Sequence, residues 1–264
     1  MRDDFIFDGR YASSYNLMMC NFNDSGETSD IVSNNDFNTF QAAKNDKNYF
    51  VGSNDSSVLS KKIQVCKTDN CHIVNMTDYD IETISRWLCR EDGYYRFAFV
   101  NNNGDNTIEY NAKIDINKIE LWNNIIGLEL TITTDSQYGY TKRKTEVTLD
   151  KNQMVCINNN SSKMGEIKAN MQLLCNSDGD YIITHTFNNK SKEITFANCT
   201  NGEYINISDM CVLSSSISSH DISNDFNYIF PKLYSNISDT KNYFKSNLPC
   251  KLTIEYELKR KVGI

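Results

Sequence analysis

Residues 77–100 read TDYDIETISRWLCREDGYYRFAFV, and the change of period inside this stretch decides the class of the fold. Thr77 is placed to cap a helix, and Asp78, Asp80 and Glu82 put negative charge in its first turn. Ile81, Ile84 and Leu88 fall on one face with Trp87 beside them. Arg86 and Arg90 suit the C-terminal end, and Glu91-Asp92-Gly93 stops the helix. Directly afterwards Tyr95, Phe97 and Phe99 alternate with Arg96 and Ala98, the period of a half-buried strand. The expected structural core is therefore Ile81, Ile84, Trp87, Leu88, Tyr95, Phe97 and Phe99, an amphipathic helix closing one face of a sheet.

Working outward, YFVGSNDSS and KKIQVCK read as strands of that sheet around a polar loop, and NNNGDN at 101–106 reads as a hairpin turn. TIEYNAKI follows, and Leu128, Leu130 and Ile132 alternate in GLELTITT. The first unit is thus α+β, antiparallel strands with one helix, and ends near TKRK at 141–144, where a charged connector is expected. Beyond it nearly every apolar segment has period two. Tyr181, Ile183, His185 and Phe187 share a face of DYIITHTF, as Leu252, Ile254, Tyr256 and Leu258 do in KLTIEYEL. Strand candidates recur at QMVCIN, GEIKANMQLLC, KEITFAN and GEYINI. Short strands without intervening helices mean a β-sandwich, so the chain reads as mainly β.

Composition excludes several functions. The 264 residues include only two Pro, and mean hydropathy is −0.53. No apolar run approaches the roughly 18 residues of a membrane span, and MRDDFIFDGR lacks the apolar stretch of a signal peptide. A net charge of −7 argues against specific nucleic-acid binding, which needs clustered Lys and Arg. TKRK at 141–144 and KRK at 259–261 are short and read as solvated linker or tail.

Catalytic and metal chemistry find no anchor. The nine cysteines are odd in number and several sit inside apolar strand patterns, so nine free thiols are expected. Cys66, Cys71 and His72 in CKTDNCH lack the C-x-x-C spacing of a zinc site. The histidines are His72, His185 and His220, and the one local suggestion of a triad is SSHD at 218–221, in a Ser-rich loop. His185 reads as a core-facing or interface histidine. Asp178-Gly179-Asp180 reads as a hairpin turn rather than a cation loop. No catalytic residue, metal ligand or cofactor is expected.

The order of FIFDGRYASSYNLMM, the helix ending ISRWLC before DGYYRFAF, the segment IEYNAKIDINKIELWNNIIGLELTITTDSQYGYTK, and FPKL with LTIEYELKRKVGI resembles the distal tail protein family of long-tailed bacteriophages and prophages. The resemblance covers nearly the whole chain. It implies a ring-forming belt domain at 1–140 and a galectin-like β-sandwich at 145–264. It further implies a homohexamer around a DNA channel at the virion tail tip, made in the cytoplasm of the bacterial host. The implied partners are the tail tube protein, a tail-associated lysin or fibre, and receptor-binding or baseplate proteins. The polar segment 21–36 is a candidate arm between neighbours. The alternative reading is a carbohydrate-binding module, although both tryptophans, Trp87 and Trp122, lie in the first unit, leaving the sandwich without an indole platform.

Overall fold

The computed structural model describes residues 2–22, 36–41, 47–54, 58–70, 72–101, 108–208 and 213–264. The polar segment at 21–36, the turn at 101–106, Cys71 and Cys211 fall wholly or largely outside them. The chain divides into two compact units, Met1–Thr141 with Arg260–Ile264, and Lys142–Lys259.

The first unit begins with β1 (Arg2–Phe7), β2 (Arg10–Tyr11), β3 (Leu17–Cys20), β4 (Asp36–Gln41), β5 (Asn48–Asn54), β6 (Ser60–Asp69) and β7 (His72–Val74). Helix α1 (Asp78–Leu88), β8 (Tyr95–Asn101), β9 (Tyr110–Leu121) and β10 (Asn124–Thr134) follow. The main antiparallel sheet runs β2-β1-β8-β9-β10-β6-β3, with β7 also on β6. The YFVGSNDSS strand is not part of it: β5 pairs with β4 in a separate two-stranded ribbon. In the β9–β10 hairpin Leu121 faces Asn124, so the turn consists of Trp122 and Asn123, both at positive φ. The hairpin is bulged at Ile125/Gly127. Gly127 is required there, since a Cβ would come within 2.7 Å of the Phe22 ring and the Val65 carbonyl oxygen.

The expected charged connector is a strand. TKRK lies within β11 (Gly139–Leu149). Its Lys144 reaches Glu255 at 3.2 Å, and Lys251 reaches Glu146 at 2.8 Å, while Leu149 is buried. Lys142, Arg143 and Lys144 are consecutive and all exposed, so basic side chains stand on both sides of the strand here and the chain is not broken.

The second unit continues with β12 (Met154–Asn158), β13 (Gly165–Cys175), β14 (Gly179–Phe187), β15 (Lys190–Cys199), β16 (Tyr204–Ile207) and β17 (Leu213–Ser215). A single turn of helix, α2 (Ile222–Asp225), precedes β18 (Lys232–Ser235), β19 (Lys241–Ser246) and β20 (Cys250–Arg260). One sheet is β11-β20-β13-β16-β17 with β18 also on β13, and the other is β12-β19-β14-β15. Inward residues of both, among them Met171, Leu173, Ile205 and Ile254 from the first and Tyr181, Ile183, Phe196 and Phe244 from the second, share one core. That is a β-sandwich, and the chain is mainly β with an α+β first unit, as the periodicity implied.

Two local readings are corrected. Asp178-Gly179-Asp180 is no hairpin turn, because β13 and β14 belong to different sheets and the segment crosses between them. Its carboxylates instead hold a neighbouring loop: Asp178 accepts from the Asn201 amide at 2.7 Å and Asp180 from the Asn198 amide at 2.9 Å. The segment at 259–264 is not a solvated tail of the sandwich. Residues 260–264 pack into the first unit, where Ile264 is buried and the Tyr110 hydroxyl donates to the Gly263 carbonyl.

Candidate assembly surface and buried polar network

The helix–strand unit is fixed from both ends. Thr77 and Asp80 form a capping box: the Asp80 amide donates to the Thr77 hydroxyl at 3.2 Å, and the Asp80 carboxylate accepts from the Thr77 amide at 2.9 Å. The other Asp80 oxygen meets Lys67 of β6 at 2.7 Å. Burial opposes ionisation of this carboxyl, but the hydrogen bonds from Lys67 and Thr77 outweigh it and hold its pKa at about 2. At the far end Arg90 pairs with Asp8 at 2.7 Å and lies over the Tyr95 ring, whose hydroxyl donates to Asp92 at 2.6 Å.

Between these ends Ile84, Trp87, Leu88, Phe97 and Phe99 are buried, and Ile81 and Tyr95 pack half-buried against the same core. Trp87 stacks on Tyr15 at 4.3 Å and on Phe5 at 5.9 Å, and its indole N–H donates to the Phe7 carbonyl at 3.1 Å. The helix thus grips β1 and the turn that carries Tyr15 through one side chain with an apolar body and a satisfied polar atom.

The edges of the main sheet are short, two residues in β2 and four in β3, which limits indiscriminate strand pairing. Exposed apolar side chains collect elsewhere. On the ribbon Phe40 and Tyr49 are an opposed pair with Val51 two residues on, and all three are exposed. At the β9–β10 turn Leu121 and Trp122 are exposed. Sequence reasoning passed over both. Alternation in the ribbon is interrupted by a register shift at Asn38/Thr39, and WNN carries no glycine to announce a tight turn.

The second unit holds a buried ionised cluster. Glu203 has no exposed surface, and one of its oxygens accepts from Ser215 and from His220 Nδ1. The other accepts from the Thr200 amide at 2.9 Å, while His220 Nε2 meets Asp225 at 3.0 Å. Burial pulls the His220 pKa down, but Glu203 and Asp225 outweigh it and raise it; burial likewise pushes Glu203 up, and its donors pull it below the usual carboxylate range. Both imidazole nitrogens face carboxylates, so neither is placed to take a proton from a serine. The SSHD segment is used to tie β16, β17 and α2 together. His185 is buried, bonded to Asn242 at 3.0 Å and stacked on Phe244 at 4.5 Å.

Cys66 of the rejected zinc reading is buried in β6 with its thiol against the Met18 carbonyl, and His72 is exposed. The described cysteines, Cys20, Cys66, Cys89, Cys156, Cys175, Cys199 and Cys250, are free thiols. Among the described residues no helix is long and apolar enough to cross a membrane. On the outer face of the larger sandwich sheet a cleft of about 300 Å³ is lined by Lys144, Asn170, Gln172, Asn206, Thr253 and Glu255, with Gln172 donating to Asn206 at 2.8 Å.

Sequence profiles assign this architecture to a class. One described as phage tail protein N-terminal domain matches residues 1–136, and one described as phage tail C-terminal domain matches residues 138–256. The molecule is therefore a structural protein of a phage tail. It belongs to the family that this N-terminal tail domain defines, in keeping with the distal tail resemblance. No curated protein sequence matches it. Its fold is similar to that of SPP1 Dit, described as a paradigm of the hub adsorption apparatus in phages infecting Gram-positive hosts, with a TM-score of 0.67 at 10% identity over 97% of this chain and 99% of that one. Chains from the phage p2 baseplate in its activated conformation are also similar, each with a TM-score of 0.51. The one with Sr is 10% identical over 98% of this chain and 99% of its own, and the one with Ca is 11% identical over 99% of both.

Proposed function

We propose that the protein is the ring adaptor of a phage tail tip. Six copies close head to tail through residues 1–140 beneath the tail tube protein, leave a central channel for DNA, and carry the sandwich of residues 145–259 outside. There the sandwiches hold baseplate, receptor-binding, fibre or tail-associated lysin components. The role is structural rather than enzymatic, its place is the virion, and synthesis is in the host cytoplasm. The observation that carries this reading is the similarity in fold to a hub protein over 97% of the chain. A closed ring must match the tube's rotational symmetry, and a heterologous interface is the geometry that closes one. The net charge of −7 suits a wall along which DNA slides without sticking.

Light scattering and negative-stain images of the purified protein, alone, concentrated and with its tail partners, test the ring. Six-membered closed particles are expected. A species that stays monomeric in every mixture, or closes with another symmetry, defeats the proposal.

A carbohydrate-binding sandwich is the second reading, favoured by the polar cleft of Asn170, Gln172, Asn206 and Glu255. Sugar sites commonly add an aromatic platform, and the described lining of this cleft has none. A glycan array on the full chain is expected to show no specific binding, and micromolar or tighter recognition would favour this reading.

A further inference from the structure

The tip of the β9–β10 hairpin combines two unfavourable choices. Trp122 is 89% exposed and adopts φ +53°, followed by Asn123 at +64°. A two-residue turn of this hand suits Asn and Gly, and a bulky side chain there is held against the backbone's preference. Leu121 beside it is 53% exposed. The indole has no aromatic or cationic partner among the described residues. A strained, exposed tryptophan points to a use outside its own chain.

The same unit carries a receptacle. A bowl of about 290 Å³ is lined by Met19, Cys20, Lys61, Ile63, Gln64 and Phe99. An apolar cavity of roughly 150 Å³ already admits benzene, so this volume accommodates an indole. The Lys61 ammonium lies 5.7 Å from the Phe99 ring centre, where an incoming aromatic face would also meet it.

We propose that Trp122 anchors the contact between successive copies of this chain, its indole seated in the Met19–Ile63–Phe99 bowl of the next copy. The proposal rests on the head-to-tail ring. A second copy fits because knob and bowl are separate features of one unit, so in the head-to-tail arrangement each engaged pair leaves a free knob at one end and a free bowl at the other. Charge agrees: Glu120, exposed two residues before Trp122, brings a carboxylate toward Lys61.

Two variants test it. Trp122→Asn removes the anchor and relieves the turn, so it is expected to melt at or above the parent's temperature while its ring dissociates at an about thirtyfold higher concentration. Leu121→Cys keeps the indole and puts a thiol beside the native Cys20 of the neighbour. With diamide accepting the two electrons and two protons, a ladder of disulfide-linked chains is expected that disappears on adding Cys20→Ser. A Trp122→Asn ring of parental affinity with no Cys20-dependent ladder, in a protein whose parent forms rings, overturns the anchor alone. Trp122→Asn rings of parental affinity that no longer bind a tail partner place the indole on that partner and also overturn it. A parent that stays monomeric without a ladder overturns the ring and the anchor together.

Discussion

In the first unit the helix is pinned to its sheet by an indole: Trp87 stacks on Tyr15 and Phe5 and gives its N–H to Phe7. In the second, the segment after β17 is pinned by charge, with Glu203, His220 and Asp225 in a line and Ser215 and Thr200 completing the carboxylate's shell. The first pin is mostly nondirectional burial, with one hydrogen bond to Phe7, and tolerates small shifts. The second depends on every partner being present, since a buried charge that loses one is left uncompensated. One unit should therefore fail gradually as apolar atoms are removed, and the other abruptly when one proton or one partner goes.

The largest effect expected is at Trp87. Truncation to Ala should cost the first unit about 3–5 kcal/mol, from the cavity and the unpaired Phe7 carbonyl; a denaturant midpoint within error of the parent would remove the indole from its role as pin. Next, His220→Ala should cost the second unit about 3 kcal/mol by leaving Glu203 and Asp225 facing each other. Glu203→Gln with His220→Gln should recover part of that loss, and no recovery in the double variant would mean that shape rather than charge holds the loop.

Protonation separates the units further. The folded pKa of His220 is raised, so its stabilisation is complete below the unfolded value of about 6.5 and is lost as pH rises through the folded pKa. The depressed pKa of Asp80 acts in the opposite sense. Its contribution is present above about 4 and is lost as pH falls toward about 2, on the order of 1 kcal/mol after solvent screening. Hydrogen exchange across pH should show alkaline loosening around β16 and β17 that His220→Gln abolishes, and acid loosening of α1 that Asp80→Asn abolishes. Loosening of α1 together with β16 and β17 as pH rises would contradict the contrast. The smallest effect is the exposed Arg86–Glu82 pair at 2.7 Å on the outer face of α1. Arg86→Ala should move stability by less than about 0.5 kcal/mol.

What could be read in advance divides along the same line. Periodicity alone found α1, β8, β10 and the long sandwich strands, because Ile84, Leu88, Phe97 and Leu252 announce their buried faces by spacing. It missed β17, β18 and β19, where polar inward residues such as Asn242 and Ser246 are buried and interrupt the apolar signal. It took Lys142, Arg143 and Lys144 for a connector because three consecutive exposed basic residues interrupt the alternation of β11 and look like a charge run. The ionised cluster was invisible: Thr200, Glu203, Ser215, His220 and Asp225 come from four separate segments that only the sandwich brings together. Trp122 was seen in composition but not in place, since its turn defies residue preference.

The position of residues 260–264 bears on how the protein is born. Ile264 completes a core whose other members, from Phe5 to Ile132, are synthesised before any of Lys142–Lys259. At about 5–20 residues per second that intervening stretch occupies roughly ten seconds of translation. For that interval the nascent sheet lacks its last apolar contact and the partners of Tyr110 and Lys61. The first unit is thus begun before the sandwich and still lacks this contact while β20, the last strand of the sandwich, is being made, so its nascent sheet is the one most in need of shelter while translation continues.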